Sequence, residues 1–185
     1  MKLEQQLAKL AEIGLKLNDG VTVDDLIYSF DRSEYEEAPF DLILTVFGFD
    51  IESEPEERSI CSRVWNFDME CIEATGDYTR IVKRLCKVAD KPDCLEAVSD
   101  FFDLDAGEGW LRYKVTGIQR DWPLEVNEDW ADTMTLSYVM DDIQSGNCYF
   151  FARDNGQAMV LFYLSSEAAA QINILSNNSL TLVLC

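Results

Sequence analysis

An apolar stripe with alternating steps of four and three residues opens the chain: Leu3, Leu7, Leu10, Gly14 and Leu17. This spacing is typical of one face of an amphipathic α-helix. The turn sequence at 18–20 ends in glycine, and it predicts the end of this helix. Thr22 is predicted to cap a second short helix, with acids in its first turn. We therefore expect residues 1–38 to form an N-terminal helical segment.

Runs rich in β-branched and aromatic residues follow, and they predict strands over much of the remaining chain. The predicted strands are 40–49, 60–67, 98–103, 109–117, 120–126, 149–153, 158–164 and an edge strand at 180–184. Turn residues separate several of these runs, which favours antiparallel hairpins. Asn155-Gly156 fits a type I′ turn, in which both central residues have a positive φ.

Three further helices are predicted among and after the strands. One begins at Asp77, one covers 132–144, and one begins at Ser165 or Ser166 and runs through Leu175. Helices packed on a mainly antiparallel sheet of about six to eight strands define an α+β fold. The length of 185 residues fits one medium domain, so we expect a single domain over 1–185.

Short sequence matches connect two parts of the chain. Phe101-Phe-x-x-Asp105-x-Gly107 matches Phe150-Phe-x-x-Asp154-x-Gly156. A degenerate ββαββ duplication, with units at 40–117 and 110–164, would produce such matches, and so would ordinary turn chemistry. Both interpretations stay open. Residues 165–185 are assigned to a C-terminal helix and an edge strand.

The charge balance and the absence of histidine exclude several classes of function. The chain has 35 Asp and Glu, 15 Lys and Arg and no histidine, which gives a formal net charge of −20. Histidine is the commonest general base and metal ligand, so its absence argues against most hydrolase, transferase and zinc chemistry. Nucleic acids and anionic membranes are polyanions that an acidic chain repels. We therefore predict a non-enzyme that takes no cofactor, no metal and no nucleic acid.

The cysteines and the N-terminus indicate the compartment. Six cysteines are present without a Cys-x-x-Cys pair, and in a domain of this size they are expected to be reduced and mostly packed. The first residues lack the apolar core of a signal peptide. The longest apolar runs are too short to cross a bilayer. These observations predict a cytoplasmic protein without a membrane partner.

Acidic segments provide the candidate binding residues. The carboxylates that we predict to bind a partner are Glu34, Glu36, Glu37, Glu52, Glu54, Glu56 and Glu57. A neighbouring aromatic or proline limits the flexibility of each segment, which would present the carboxylates to an arginine-rich surface. The alternative is that both segments are solvated loops that only keep the protein soluble.

Two other charge arrangements also have two interpretations. The predicted helix at 77–89 gathers basic residues over 80–91, which would either hold a phosphate or neutralise acids of the same fold. Asp141 and Asp142 lie near the end of the predicted helix 132–144, where acids oppose the helix dipole. They would either mark a binding site or be solvated.

Two functions from different classes fit this sequence. The first is an acidic module that binds and masks a basic partner protein, such as a toxin; in composition alone it resembles bacterial toxin-immunity proteins. The second is a dimeric chaperone or adaptor that holds its partner in an apolar groove. A mimic of the DNA phosphate array and a carboxylate-based, metal-dependent enzyme are less favoured. Monomer and homodimer both remain open.

Overall fold

The computed structural model describes residues 1–51 and 58–184, and in that part it contains seven helices and nine strands. The helices are α1 (Leu3–Ile13), α2 (Val23–Leu26), α3 (Arg32–Glu37), α4 (Asp41–Val46), α5 (Asp77–Val88), α6 (Thr133–Ile143) and α7 (Ser166–Leu175). The strands are β1 (Asp50–Ile51), β2 (Arg58–Ser59), β3 (Val64–Asp68), β4 (Leu95–Asp103), β5 (Glu108–Val115), β6 (Ile118–Pro123), β7 (Cys148–Asn155), β8 (Ala158–Ser165) and β9 (Thr181–Leu182).

Helix α1 ends earlier than the sequence predicts. Gly14 adopts φ +101°, its amide bonds to the Ala11 carbonyl, and the Leu15 amide bonds to the Leu10 carbonyl at 2.9 Å. These bonds form a Schellman motif, in which a left-handed glycine stops the helix. The predicted end at 18–20 is therefore wrong, because Gly14 belongs to the cap and not to the apolar stripe. The cap of α2 at Thr22 is confirmed.

The segment predicted as a strand at 40–49 is helical instead, and it forms α4. A short continuous apolar run does not distinguish a buried strand from a buried helix. Ile43, Leu44 and Phe47 are fully buried in the same apolar cluster as Leu3 and Leu10 of α1. Tertiary packing among the N-terminal helices thus overrides the β propensity of the run.

The other predicted strands are confirmed with shifted ends, and every recorded strand pair is antiparallel. Sheet 1 has the order β3-β8-β7-β9, sheet 2 has the order β4-β5-β6, and β1 pairs with β2. This arrangement is an α+β fold, as predicted. The helix at 41–46 replaces the first strand of the unit predicted at 40–117. The interpretation of 40–117 and 110–164 as degenerate repeats stays a prediction.

The fold is layered around sheet 1. Along β8, Val160 and Phe162 pack into the cluster formed with the N-terminal helices and α7. Leu161 and Tyr163 alternate with them and pack into a second cluster with α5 and α6. Side chains alternate across a strand, so sheet 1 is covered on both faces. Sheet 2 packs on the far side of α5 and α6 through inward residues such as Leu111.

The hairpin turns differ from each other in their backbone geometry. Thr116 and Gly117 both have a positive φ between β5 and β6, as a type I′ turn requires. Between β7 and β8 the register places Gly156 and Gln157 at the turn, and of these two only Gly156 has a positive φ. The type I′ prediction for Asn155-Gly156 is therefore wrong, because the hairpin closes one residue later.

Candidate functional site

Two of the acids that we predicted to bind a partner are engaged within the N-terminal helical layer. The Glu36 carboxylate accepts hydrogen bonds from Lys2 Nζ at 2.8 Å and from the Leu3 amide at 3.3 Å. The bond from Lys2 lowers the pKa of Glu36. Glu34 accepts a bond from the Asp31 amide at 2.7 Å and closes the first turn of α3. Glu37 is exposed, whereas Glu52, Glu54, Glu56 and Glu57 lie outside the described residues.

Two basic residues of the segment 80–91, Arg84 and Lys91, are used by the fold itself. Arg84 donates two hydrogen bonds to Asp50, at 2.6 and 2.9 Å. Lys91 follows the helix and donates to the Ile143 carbonyl at 2.6 Å and to the Tyr163 hydroxyl at 2.8 Å. These contacts favour the interpretation that the basic residues neutralise and tie neighbouring elements.

Sheet 2 has an open surface on the face that points away from α5 and α6. Residues paired across a sheet share a face, so the strand register defines this surface row by row. We call it the outer face, and its rows are Asp103 with Glu108, then Phe101 with Trp110 and Pro123, then Ser99 with Arg112 and Asp121, then Glu96 with Lys114 and Gln119. The inward residues between them pack on the helices. The outer face therefore has no layer on it within the described chain.

An aromatic row crosses the outer face. The rings of Phe101 and Trp110 are stacked, with centroids 6.3 Å apart and an interplanar angle of 23°. Arg112 Cζ lies 4.1 Å from the Trp110 ring centroid. Arg112 Nε in turn donates to Asp121 at 2.9 Å. The guanidinium thus rests on an aromatic face while a carboxylate of the next strand fixes its orientation.

Carboxylates border the aromatic row at the end of the β4–β5 hairpin. Asp103 and Glu108 form the terminal pair of the hairpin, and Asp105 lies exposed in the turn. The Asp103 carboxylate accepts a bond from the Ala106 amide at 2.9 Å, which fixes the turn. Leu104 between these acids is half exposed. Apolar and acidic groups are therefore adjacent on one rigid hairpin.

The outer face presents one aromatic row and an arginine among other charged side chains. Tryptophan and arginine are the residue types most enriched among the side chains that dominate binding energy at protein interfaces. Sequence analysis missed this site, although a signal was present. The alternation of Trp110 and Arg112 with Leu111 and Tyr113 indicates a two-sided strand. It does not indicate which side another layer covers.

A separate apolar cavity of about 280 Å³ lies between sheet 1, α5, α6 and the C-terminal segment. Its apolar lining includes Trp65, Met134, Met159, Leu161 and Leu182. Met134 and Leu182 are partly exposed at its rim. An apolar side chain of a partner would fit such a cavity, which is the feature that the chaperone or adaptor alternative requires.

Three observations complete the description of the site. In residues 1–51 and 58–184, no cluster of three or more Cys, Asp or Glu has a geometry that would hold a metal ion. None of the helices described there combines the length and apolarity needed to cross a bilayer. No family model, curated protein or solved structure matches the chain.

Proposed function

We propose that this protein binds a basic partner protein and masks its cationic surface, using the outer face of sheet 2. The observation that carries the proposal is the stacked pair of Phe101 and Trp110 beside the carboxylates of Asp103 and Glu108. Aromatic side chains would supply the buried anchor of the contact. The adjacent carboxylates would pair with lysine or arginine side chains of the partner.

The charge distribution supports a cationic partner. Among the described residues, nine ion pairs engage eight of the carboxylates, and the remaining carboxylates have no lysine or arginine nitrogen within 4 Å. The chain carries a net charge of −20. Such a field accelerates the encounter with a positive surface and repels polyanions. The partner proposed is therefore basic, and a nucleic-acid-binding toxin is one protein of that kind.

The geometry of the outer face supports the proposed masking role. Arg112 is already held by the Trp110 ring and by Asp121, so less side-chain entropy is lost there when a partner covers the face. The Trp110 ring already holds the guanidinium of Arg112. The outer face therefore has the chemistry to hold further guanidinium groups beside the same aromatic row. A partner that uses lysines and arginines to grip nucleic acid would lose access to it once bound here.

The test is affinity capture from nuclease-treated native lysate of the source organism, with three forms of the protein as bait. The forms are the wild type, Trp110→Ala, and the matched control Tyr28→Ala. Tyr28 is 90% exposed in the N-terminal segment, away from sheet 2. We expect one basic protein to bind the wild type and the control but to bind Trp110→Ala at least about 30-fold more weakly. Equal recovery of that protein by all three forms, or a partner that is acidic, would contradict the proposal.

The apolar cavity favours one alternative function, a chaperone or adaptor module. A partner side chain seated between sheet 1 and α6 would contact Met134 and Leu182 at the rim. In that case Met134→Lys, which places a charge at the rim, would abolish capture while Trp110→Ala would not. The two variants therefore separate the two proposals in a single experiment.

A further inference from the structure

Two cysteine side chains lie next to each other at the end of α5. Cys86 belongs to the last turns of the helix and is buried, and Cys94 immediately precedes β4 and is partly exposed. Their sulfur atoms are 3.7 Å apart. Both are free thiols. The spacing of eight residues between them hides this proximity, since it matches no redox or metal motif.

The chain between the two cysteines is held in place by several contacts. The Lys91 amide bonds to the Cys86 carbonyl at 2.9 Å, and the Cys94 amide bonds to the Lys91 carbonyl at 3.2 Å. The Lys91 ammonium is itself fixed by the Ile143 carbonyl and the Tyr163 hydroxyl. The two sulfur atoms are therefore kept close by the fold rather than by chance rotamers of a loose loop.

We infer that Cys86 and Cys94 form a dithiol site that closes to a reversible disulfide when the protein meets a low-molecular-weight disulfide. A disulfide requires the sulfurs at about 2.05 Å, so the pair must approach by less than about 2 Å. Rotation of the partly exposed Cys94 side chain supplies that movement. Among the described cysteines, this pair alone has two sulfur atoms so close together; Cys61, Cys71 and Cys148 have no cysteine sulfur at such a distance.

The chemistry balances in two thiol–disulfide exchanges. The Cys94 thiolate attacks glutathione disulfide, a new sulfur–sulfur bond joins Cys94 to one glutathione, and the other glutathione leaves as its thiolate. The Cys86 thiolate then attacks the Cys94 sulfur and expels the second glutathione thiolate. The two leaving thiolates take up the two protons that the cysteines released. The cysteine pair is thereby oxidised by two electrons, and glutathione disulfide is reduced to two glutathione molecules.

The second exchange depends on pH. Burial raises the pKa of the Cys86 thiol above its ordinary value. The thiolate is the reactive form, so the mixed disulfide should close faster as the pH rises. Once closed, the disulfide links α5 directly to the start of β4. Since β4 carries Phe101, oxidation would fix sheet 2 more firmly to the helices beneath it.

The experiment treats the purified full-length protein with glutathione disulfide, blocks the remaining thiols with an alkylating agent and maps tryptic peptides by mass spectrometry. Trypsin cuts after Lys87 and so separates the two cysteines. We expect a cross-linked pair of peptides containing Cys86 and Cys94, a fall from six to four alkylated thiols, and full reversal by dithiothreitol. Thermal unfolding of the oxidised form should shift to higher temperature, because the cross-link constrains the unfolded chain.

Matched variants make the outcome decisive. Cys94→Ser should give no cross-linked peptide, whereas Cys71→Ser should give the same cross-link as the wild type, and circular dichroism checks that both are folded. A glutathione adduct that stays on Cys94 without closing would overturn the inference. So would six unmodified thiols, or a cross-link that joins either cysteine to a different one.

Discussion

Arg120 in β6 and Asp142 near the end of α6 form a double hydrogen bond. Arg120 Nε donates to Asp142 Oδ2 at 2.9 Å, and its Nη2 atom donates to Oδ1 at 2.7 Å. The Tyr113 hydroxyl also donates to Asp142 Oδ2, at 2.8 Å. An acid that opposes the dipole of its own helix is thus compensated by a guanidinium from sheet 2. This contact joins the sheet that carries the outer face to the helical layer beneath it.

Replacing Asp142 by asparagine should destabilise the protein. Asparagine keeps the shape but removes the charge that Arg120 and Tyr113 contact, and hydrogen bonds to a charged group are stronger than those between neutral groups. We expect the free energy of unfolding in urea to fall, and to fall more than in the control below. The matched control is Asp141→Asn, since the exposed Asp141 lies beside it and is bonded only to Gln144 among the described side chains. If both variants lose the same stability, the bond to Arg120 does not support the fold.

Glycine at position 48 is required by a close approach of two backbone segments. The Gly48 carbonyl accepts a bond from the Asn66 amide at 2.8 Å. A Cβ atom placed on Gly48 would lie 2.5 Å from the Asn66 nitrogen and 2.9 Å from the Trp65 carbonyl carbon. Gly48→Ala should therefore displace β3 from the helical segment and lower the unfolding free energy by about 1–3 kcal/mol.

Thermal or urea unfolding of two glycine variants checks this steric argument. In Gly109→Ala, the new Cβ would meet the flexible Leu124 side chain at 3.2 Å and the Phe101 carbonyl oxygen at 3.3 Å. These contacts are longer than the 2.5 and 2.9 Å found at position 48, so this variant should lose clearly less stability than Gly48→Ala. The reverse order of stability would contradict the close approach at position 48.

Buried phenols should make the protein unfold at high pH. Burial raises the pKa of Tyr35 and of Tyr78 to about 12, and burial also raises the pKa of Tyr113. A pKa that is higher in the folded state stabilises the fold below the ordinary tyrosine value of about 10. That stability is lost as the pH rises from about 10 through the folded-state values.

A spectroscopic titration follows the ionisation of the buried phenols and the unfolding of the chain in one experiment. Phenolate absorbance should include a late step that coincides with the loss of helical circular dichroism, because the buried phenols ionise as the chain unfolds. Tyr78→Phe removes one phenol, so its free energy of unfolding should fall less steeply with pH above about 10 than that of the wild type. The bond that the Asp132 amide donates to the Tyr78 hydroxyl is also lost, which lowers the stability below pH 10 as well. Full ionisation of the tyrosines while the helical signal is intact would show that these phenols are accessible in the fold.

Local sequence patterns predicted the elements that have a clear hydrophobic period or a clear turn or cap signal. The hairpins of sheet 2 and sheet 1 follow from alternation and turn residues, and α7 follows from its cap at Ser165. Helix α4 was not predictable, because an apolar run covered on several sides has no period. The role of Asp142 was not predictable either, since its partner lies 22 residues away in another layer.

The candidate site was predictable only in its chemistry. The acidic composition led to the prediction of a basic partner, which stays a prediction, and the binding residues predicted from sequence were carboxylates rather than the aromatic row. Which aromatic residues are presented depends on which face of sheet 2 is uncovered, and that is a property of the assembled layers. Trp110 and Tyr113 both lie in β5, but the first faces outward and the second is fully buried.

Association with the basic partner should depend strongly on salt. The proposed contact is steered by carboxylates in water, where added ions screen charges beyond about 10 Å at 0.1 M. The association rate measured by stopped flow or surface plasmon resonance should fall at least about tenfold between low and high ionic strength. A rate that does not change with salt would instead favour binding through the apolar cavity.

Charge-neutralising variants locate the carboxylates that steer this encounter. The double variant Asp103→Asn/Glu108→Gln removes two charges beside the aromatic row, whereas Glu34→Gln/Glu37→Gln removes two charges from α3 in the N-terminal layer. Both variants have the same net charge, so they differ only in where the two negative charges have been removed. We expect the first to slow association several-fold more than the second and to reduce its salt dependence, because steering is strongest for charges at the contact. A larger effect of the α3 variant would place the contact on the acids that the sequence alone indicated, on the other side of sheet 1.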